Sequence, residues 1–251
     1  MHSPAYRTPP LLTYLQWYSY VSKGGVFMYR NYRELMYVGL IFGVDFFLGA
    51  LFKEYTDLFI ESELISRKVA YMLGIIVVCI LIYVGIKRGI LSNIRIDFDE
   101  INLDTMFKAT LICLLCTILG VIFTIFLLSF SDSAWVVSSN ISMDNGALSL
   151  SEKIVFLIAT AIGAPVVEEL VFRGVLIGIL RKYTNVRTAI IISAIIFGTL
   201  HFTSISVIFN AIVMGLAFGY MYVKKDNLAL SMTMHAILNC AVVMKSYFGL
   251  L

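Results

Sequence analysis

Residues 154–180 read IVFLIATAIGAPVVEELVFRGVLIGIL. At ~1.5 Å per residue, a helix of that length exceeds the ~30 Å hydrocarbon core of a bilayer. The run is apolar except for Glu168, Glu169 and Arg173. An ionisable side chain at mid-bilayer costs roughly 3 kcal/mol or more, so three of them in one span answer to something other than lipid. Such groups face a bundle interior or a water-filled cavity and mark function.

The rest of the chain is of the same kind. Of 251 residues, 60% are hydrophobic and 14% charged, with a mean hydropathy of +0.90, whereas soluble domains carry about a quarter charged residues. The expected fold is an all-α, polytopic transmembrane bundle of about seven spans: 35–52, 69–86, 109–130, 154–180, 188–202, 205–223 and 228–247. The fifth is short and is joined to the sixth almost without a loop. Residues 1–34 form a separate cytoplasmic or interfacial segment in which Tyr14, Trp17, Tyr18 and Tyr20 suit the headgroup level. No apolar run with a small-residue cleavage site marks that segment as a cleaved signal. Residues 35–251 make a single transmembrane domain, with the chemistry within 154–251.

With the N-terminus inside, thirteen Lys and Arg fall on the cytoplasmic side and five on the other, Arg173 being the nineteenth. Because cytoplasmic loops carry the basic excess, this sets an N-in topology. A multi-pass bacterial plasma-membrane protein is the simplest reading, with membrane lipids as its surroundings. The net charge of +3 and the lack of any basic block with interleaved aromatics argue against a nucleic-acid partner. Cys79, Cys113, Cys116 and Cys240 lie in apolar stretches and read as small hydrophobes.

Within the spans the strongly polar side chains are few: Asp45, Glu168, Glu169, Arg173, His201, Asn210, His235 and Asn239. Glu169 and Arg173 stand at i and i+4, about 40° apart at 100° per residue, and can pair directly. Glu168 lies about 140° round the helix from Arg173 and is left without a near partner. A carboxylate so placed is suited to act as a general base. His235 with Asn239, and Phe197 with His201, repeat the i, i+4 spacing. Counted from the cytoplasmic ends at ~1.5 Å per residue, Glu168 and His201 lie roughly 20 Å deep and Asn239 and His235 roughly 18 and 12 Å. A polar cavity among the C-terminal spans follows.

A carboxylate, two imidazoles and a carboxamide are the parts of a hydrolytic site. Glu168 can take a proton from water, His201 can orient that water, and His235 and Asn239 can stabilise an oxyanion. Glu168, His201 and His235 are also the ligand types of several catalytic zinc sites. Spacing does not choose between metal-free and Zn²⁺ chemistry.

The order EE-x-x-x-R (Glu168, Glu169, Arg173), F-x-x-x-H (Phe197, His201) and H-x-x-x-N (His235, Asn239) resembles the CAAX-protease and bacteriocin-processing family of intramembrane endopeptidases, the Abi or Rce1-type family. The resemblance covers the last 90 or so residues. It implies hydrolysis of a membrane-associated peptide or protein, with Glu168 and His201 carrying the chemistry and His235 and Asn239 supporting the transition state. The family is labelled metalloprotease, and a glutamate-activated water without metal has also been proposed for it. The reading from a second class is a peptide-binding immunity factor or sensor scaffold that keeps the pocket without catalysis. A proton-coupled transporter leaves the motif order unexplained.

Asp45 and Asn210 fall outside the motifs, and Asp45 reads as a helix-to-helix hydrogen bond rather than as a residue that lines the cavity or binds substrate. Three G-x-x-x-G pairs, Gly39/Gly43, Gly174/Gly178 and Gly215/Gly219, read as sites of close helix packing.

Overall fold

The computed structural model describes residues 33–44, 47–48, 50–60, 62–130 and 149–248. The interfacial N-terminal segment through residue 32, Asp45 and the polar loop 131–148 lie outside the described residues, so the expectations placed on them are not addressed. All regular structure among the described residues is helical. We label the helices α1 (33–44), α2 (Glu63–Lys87), α3 (Leu103–Leu128), α4 (Leu150–Leu180), α5 (Val186–Thr199), α6 (Ile205–Lys225) and α7 (Ala229–Phe248).

Four of them, α2 from Ile65 onward, α3, α4 and α6, are long and apolar enough to cross a membrane. The protein is therefore an integral membrane protein. Helix α5 is apolar but has only 14 residues. Helix α7 has 20 residues, and its Ser231, Thr233, His235 and Asn239 dilute its apolar average.

Local sequence starts and stops these helices. Asn102, Ser149, Asn185 and Ser204 each accept a backbone N–H of the first turn of α3, α4, α5 and α6, and Ser149 with Glu152 completes a capping box. Helix α2 ends at Gly89, whose φ of +64° is the left-handed conformation glycine adopts without strain. Helix α6 ends at Asp226, also left-handed at φ +48°, and the next residue, Asn227, accepts from the Ala229 N–H to begin α7.

Three antiparallel pairings organise the bundle. Helices α5 and α6 meet along small residues: a Cβ added at Gly198 would fall 2.3 Å from Ile212, and one at Gly215 3.1 Å from Ala194. Gly219 faces Ile190 in the same seam, so the Gly215/Gly219 pair packs as expected. Gly174 meets Ile94, whereas Gly39, Gly43 and Gly178 have no described neighbour within 4 Å of an added Cβ. Helices α3 and α6 meet where Asn210 lies against Gly120 and where Phe123 stacks on Phe209 at 3.8 Å between centroids. The Asn210 amide donates to Ser206 O of its own helix, so its contact with α3 is close packing of its carbonyl oxygen rather than an N–H bond between helices. Helices α4 and α7 pair from Lys153 and Tyr247 at one end to Ile177 and Leu228 at the other.

Helix α2 packs beside α4, with Ile65 near Phe156 and Ile75 against Gly163. Tyr37 of α1 donates to Leu81 O at 2.6 Å, and Glu34 pairs with Lys182 Nζ at 2.6 Å, which ties α1 to α2 and to the end of α4. Residues 88–102 cross that end of the bundle as a strap. Its backbone is held by Asn227, whose side chain bonds both the N–H and the carbonyl of Asp97.

Candidate active site

Helix α4 carries the two glutamates and the arginine, and it is not a uniform α-helix. It changes to π-helix over Ile158–Gly163, returns to α over Ala164–Glu169, and widens again over Leu170–Ile177. A π-turn shifts carbonyls away from their i+4 donors and is frequent at functional sites. Two carbonyls in or beside these stretches accept side chains from neighbouring helices. Asn239 Nδ2 donates to Thr160 O at 2.9 Å, and Ser193 Oγ donates to Phe172 O at 3.0 Å. The irregular backbone and the polar side chains of α5 and α7 thus satisfy one another away from water.

Glu169 and Arg173 form the pair expected from their spacing, with Glu169 Oε1 3.0 Å from Arg173 Nη1. Both are sealed: Glu169 is 0% exposed and Arg173 1%. Arg173 Nη2 also donates to Gly215 O at 3.4 Å. Its guanidinium lies 4.5 Å from the Phe197 ring centroid and 5.4 Å from that of Phe218. Such a cation between two aromatic faces is stabilised by their quadrupoles where water is absent. Gly215 therefore serves twice, as part of the α5–α6 seam and as a carbonyl for Arg173.

His235 is the hub. Its Nδ1 lies 3.0 Å from Glu169 Oε1, and its Nε2 lies 3.6 Å from Glu168 Oε2. Facing a carboxylate, Nδ1 carries a proton and donates it. The ring stacks on Phe218 at 4.9 Å and meets Phe197 edge-on at 5.9 Å, which fixes its plane. Glu169, Arg173, Phe197 and Phe218 thereby hold one imidazole with a single nitrogen turned toward Glu168.

Glu168 differs from its neighbour. Its side chain is 20% exposed where that of Glu169 is sealed. The Oε2 of each glutamate lacks a hydrogen-bond partner among the described residues, but Glu169 Oε1 is held at 3.0 Å by Arg173 and by His235, whereas Glu168 meets His235 only at 3.6 Å. A partly exposed carboxylate without a short ion pair is the better placed of the two to accept a proton.

His201 lies elsewhere than expected. The fifth span was to run through residue 202, but α5 ends at Thr199 and His201 sits in the turn before α6. The helix stops there because Ser204, extended at φ −159°, caps α6 and leaves only a few residues for the reversal. His201 Nδ1 still reaches Phe197 O at 2.8 Å, and the two rings are 4.6 Å apart. Against a carbonyl, Nδ1 carries the proton, and Nε2 keeps its lone pair.

The structure brings Glu168, Glu169, Arg173 and His235 into direct contact, links His201 to them through Phe197, and anchors Asn239 on the same helix as the glutamates. Sequence reading did not find Phe218 or the Thr160 carbonyl. A phenylalanine in an apolar helix carries no mark of its partner, and a carbonyl is freed only by the π-turn. Among the described residues no group of three or more His, Cys, Asp or Glu side chains is placed to hold a metal ion. Glu168 and His235 would supply two donors of the expected zinc set, without a third grouped beside them.

The matched region of known proteins covers this constellation. Residues 150–241 match the family of type II CAAX prenyl endopeptidase Rce1-like proteins. That stretch runs from the start of α4 past Asn239, and it bears out the resemblance read from the three motifs. A protein of Bacillus subtilis (strain 168) named "Putative membrane peptidase YdiL" is 30% identical over 87 residues, which is 35% of this chain and 35% of that protein. The chain thus spans about a third of the length of this relative. No solved structure matches the chain.

Proposed function

We propose that the protein is an intramembrane endopeptidase of the Rce1-like type that hydrolyses a peptide bond of a membrane-associated peptide or protein. The observation that carries this reading is the unequal treatment of adjacent glutamates: Glu169 is sealed, with its Oε1 locked to Arg173 and His235 at 3.0 Å, while Glu168 is 20% exposed and meets the same imidazole only at 3.6 Å. The Rce1-like match of residues 150–241 and the membrane-peptidase name of the Bacillus subtilis relative support it.

In this mechanism Glu168 removes a proton from water as the oxygen adds to the scissile carbonyl. His201 accepts the second water hydrogen at Nε2, which its Nδ1 bond to Phe197 O leaves free to do so. The tetrahedral oxyanion faces His235 and Asn239. His235 donates to it only when doubly protonated, because its Nδ1 proton is held by Glu169. The proton on Glu168 then passes to the leaving nitrogen, and the C–N bond breaks to give an acid and an amine. General-base removal contributes about 10²–10⁴-fold in such reactions.

If Zn²⁺ is bound, Glu168, His201 and His235 are the residues to hold it, and it supplies Lewis acidity to the water or carbonyl. The donor grouping favours water activation by Glu168 itself. Activity that survives chelation, in protein shown metal-free by elemental analysis, supports this form, and activity restored only by added Zn²⁺ replaces it. The wider assignment is a seven-span, N-in bundle in a bacterial plasma membrane, with leader peptides, pheromones or bacteriocins as the client class.

The test is a comparison of membrane peptides, by mass spectrometry, from cells carrying the wild-type chain or Glu168→Gln. A peptide pair that appears as product with wild type and accumulates as precursor with Glu168→Gln is the expected result. Identical peptide profiles together with a phenotype retained by Glu168→Gln would point to the non-catalytic binding role instead.

A further inference from the structure

Where α3 begins and α6 ends lies a cavity of about 140 Å³, closed on its third side by the start of α7. Its wall is apolar, from Ala109, Ile112, Met221 and Leu230, and its rim carries three lysines, Lys108, Lys224 and Lys225, against one carboxylate, Asp104, with Thr105 and Tyr220 beside them. The three ammonium groups are not equally compensated. Lys108 Nζ lies 2.5 Å from Asp104 Oδ2. Lys224 Nζ instead meets the Tyr220 hydroxyl at 3.0 Å, and Lys225 Nζ donates to Thr105 Oγ1 at 3.4 Å. Among the described residues neither Lys224 nor Lys225 has a carboxylate within ion-pair distance.

Lysines in the last turn of a helix suit its dipole, which accounts for two of the three by position. That accounts neither for a cavity between them nor for the convergence of Lys108 from another helix. Next to the rim, the outer face of α3 presents Phe107, Leu111 and Leu114 to the surroundings. Helix α3 is turned outward, with 11% of an 18-residue apolar stretch of it buried inside the protein. The cavity therefore has a cationic mouth at a helix end and an apolar wall continuous with a surface that acyl chains cover. Basic pockets between transmembrane helices bind anionic headgroups for this reason.

We propose that the α3–α6–α7 cavity is a binding site for an anionic phospholipid, its phosphate held between Lys224 and Lys225 and its first acyl carbons laid against Ile112 and Met221. A zwitterionic choline lipid brings its own ammonium against the same three lysines and is disfavoured. A soluble phosphate has the charge but makes no use of the apolar wall. The site is separate from the glutamates and does not depend on the protein being a protease.

The experiment uses the full chain, purified in detergent and titrated with palmitoyl-oleoyl phosphatidylglycerol, with retained lipid counted by native mass spectrometry and thermal unfolding followed in parallel. The wild type should retain the lipid and gain thermal stability. Lys224→Gln or Lys225→Gln alone should bind about 5-fold more weakly, and the double variant about 30-fold, the size expected for one interfacial contact per lysine. Ala109→Phe, which keeps every lysine and fills the wall, should lose retention as well. The pair Lys53→Gln with Arg67→Gln, away from the cavity, should bind as wild type. Equal retention by the wild type and both the double lysine and Ala109→Phe variants overturns the proposal. So does equal retention of the phosphatidylcholine analogue, or a stability gain of the same size from inorganic phosphate or glycerol phosphate.

Discussion

Helices α3 and α4 are both long enough to cross a bilayer, yet they differ in nearly everything else. Over an apolar stretch of 18 residues, α3 has a mean hydropathy of 3.0 with 11% buried, while α4 has 2.0 with 39%. Helix α3 keeps α geometry from Leu103 to Leu128, and its Thr110, Thr117 and Thr124 hydroxyls bond only to carbonyls one turn back. Helix α4 switches twice to π geometry and exchanges hydrogen bonds with α5 and α7. A helix whose neighbour is lipid satisfies itself, because lipid offers nothing else. A helix that must hold charge recruits its neighbours, and the polar centre is where that recruitment converges.

The sharpest way to test this contrast is to break the pair that α4 buries. Removing one partner of a buried ion pair costs about 3–5 kcal/mol, because the other charge is left uncompensated. Glu169→Gln and Arg173→Met should each lower stability by about that much in denaturant titrations, while Leu115→Ala on the outer face of α3 should change it little. The double replacement Glu169→Gln with Arg173→Met should lose less than the sum of the singles, since no lone charge remains.

A smaller effect is expected at the α5–α6 seam. Gly198→Ala places a Cβ 2.3 Å from Ile212 and 2.9 Å from the Ile208 carbonyl, and should cost about 2 kcal/mol of overpacking. Gly178→Ala meets nothing described within 4 Å and should hold or raise the melting temperature, as alanine is the better helix former. A rise in both variants would mean that helix propensity and not close packing sets these positions.

Smaller again is the bond between α7 and the first π segment. Asn239→Ala strands the Thr160 carbonyl and should cost about 1 kcal/mol, with faster amide exchange confined to residues near 160 as the distinguishing sign. The least effect belongs to the strap. Bonds from Arg95 and Asn227 hold the Glu100 carboxyl below its usual 4.5. Its lowered folded-state pKa means the contribution is present above 4.5 and is lost as pH falls through the folded value. The stability gap between wild type and Glu100→Gln should therefore be constant near neutrality and close on acidification.

Much of the polar centre was legible in the sequence because charge inside an apolar run is rare and its spacing is informative. Glu169 and Arg173 pair as their spacing indicates, even though the helix is π from Leu170 onward. The π segments themselves were not legible, since an apolar sequence carries no record of whether a carbonyl bonds four or five residues ahead. For the same reason Asn239 could be placed near the centre but not on Thr160. His201 was assigned to a helix that ends two residues earlier, because IIFGTLHF stays apolar through a turn that only the Ser204 cap discloses. The membrane character of α2, α3, α4 and α6 was read correctly from length and hydropathy, and α6 begins at Ile205 as read, whereas α3 and α4 begin several residues earlier than read, where capped polar turns start them.

The central claim is that adjacent glutamates divide the work, Glu168 reacting and Glu169 holding. Its most direct test is single-turnover cleavage of an identified substrate by purified Glu168→Gln and Glu169→Gln, each with its unfolding curve measured in the same preparation. The division predicts that Glu168→Gln unfolds like wild type with cleavage reduced at least about 10²-fold, and that Glu169→Gln is destabilised while its folded fraction still cleaves. A Glu168→Gln protein that cleaves normally beside a stable, inactive Glu169→Gln protein would contradict it.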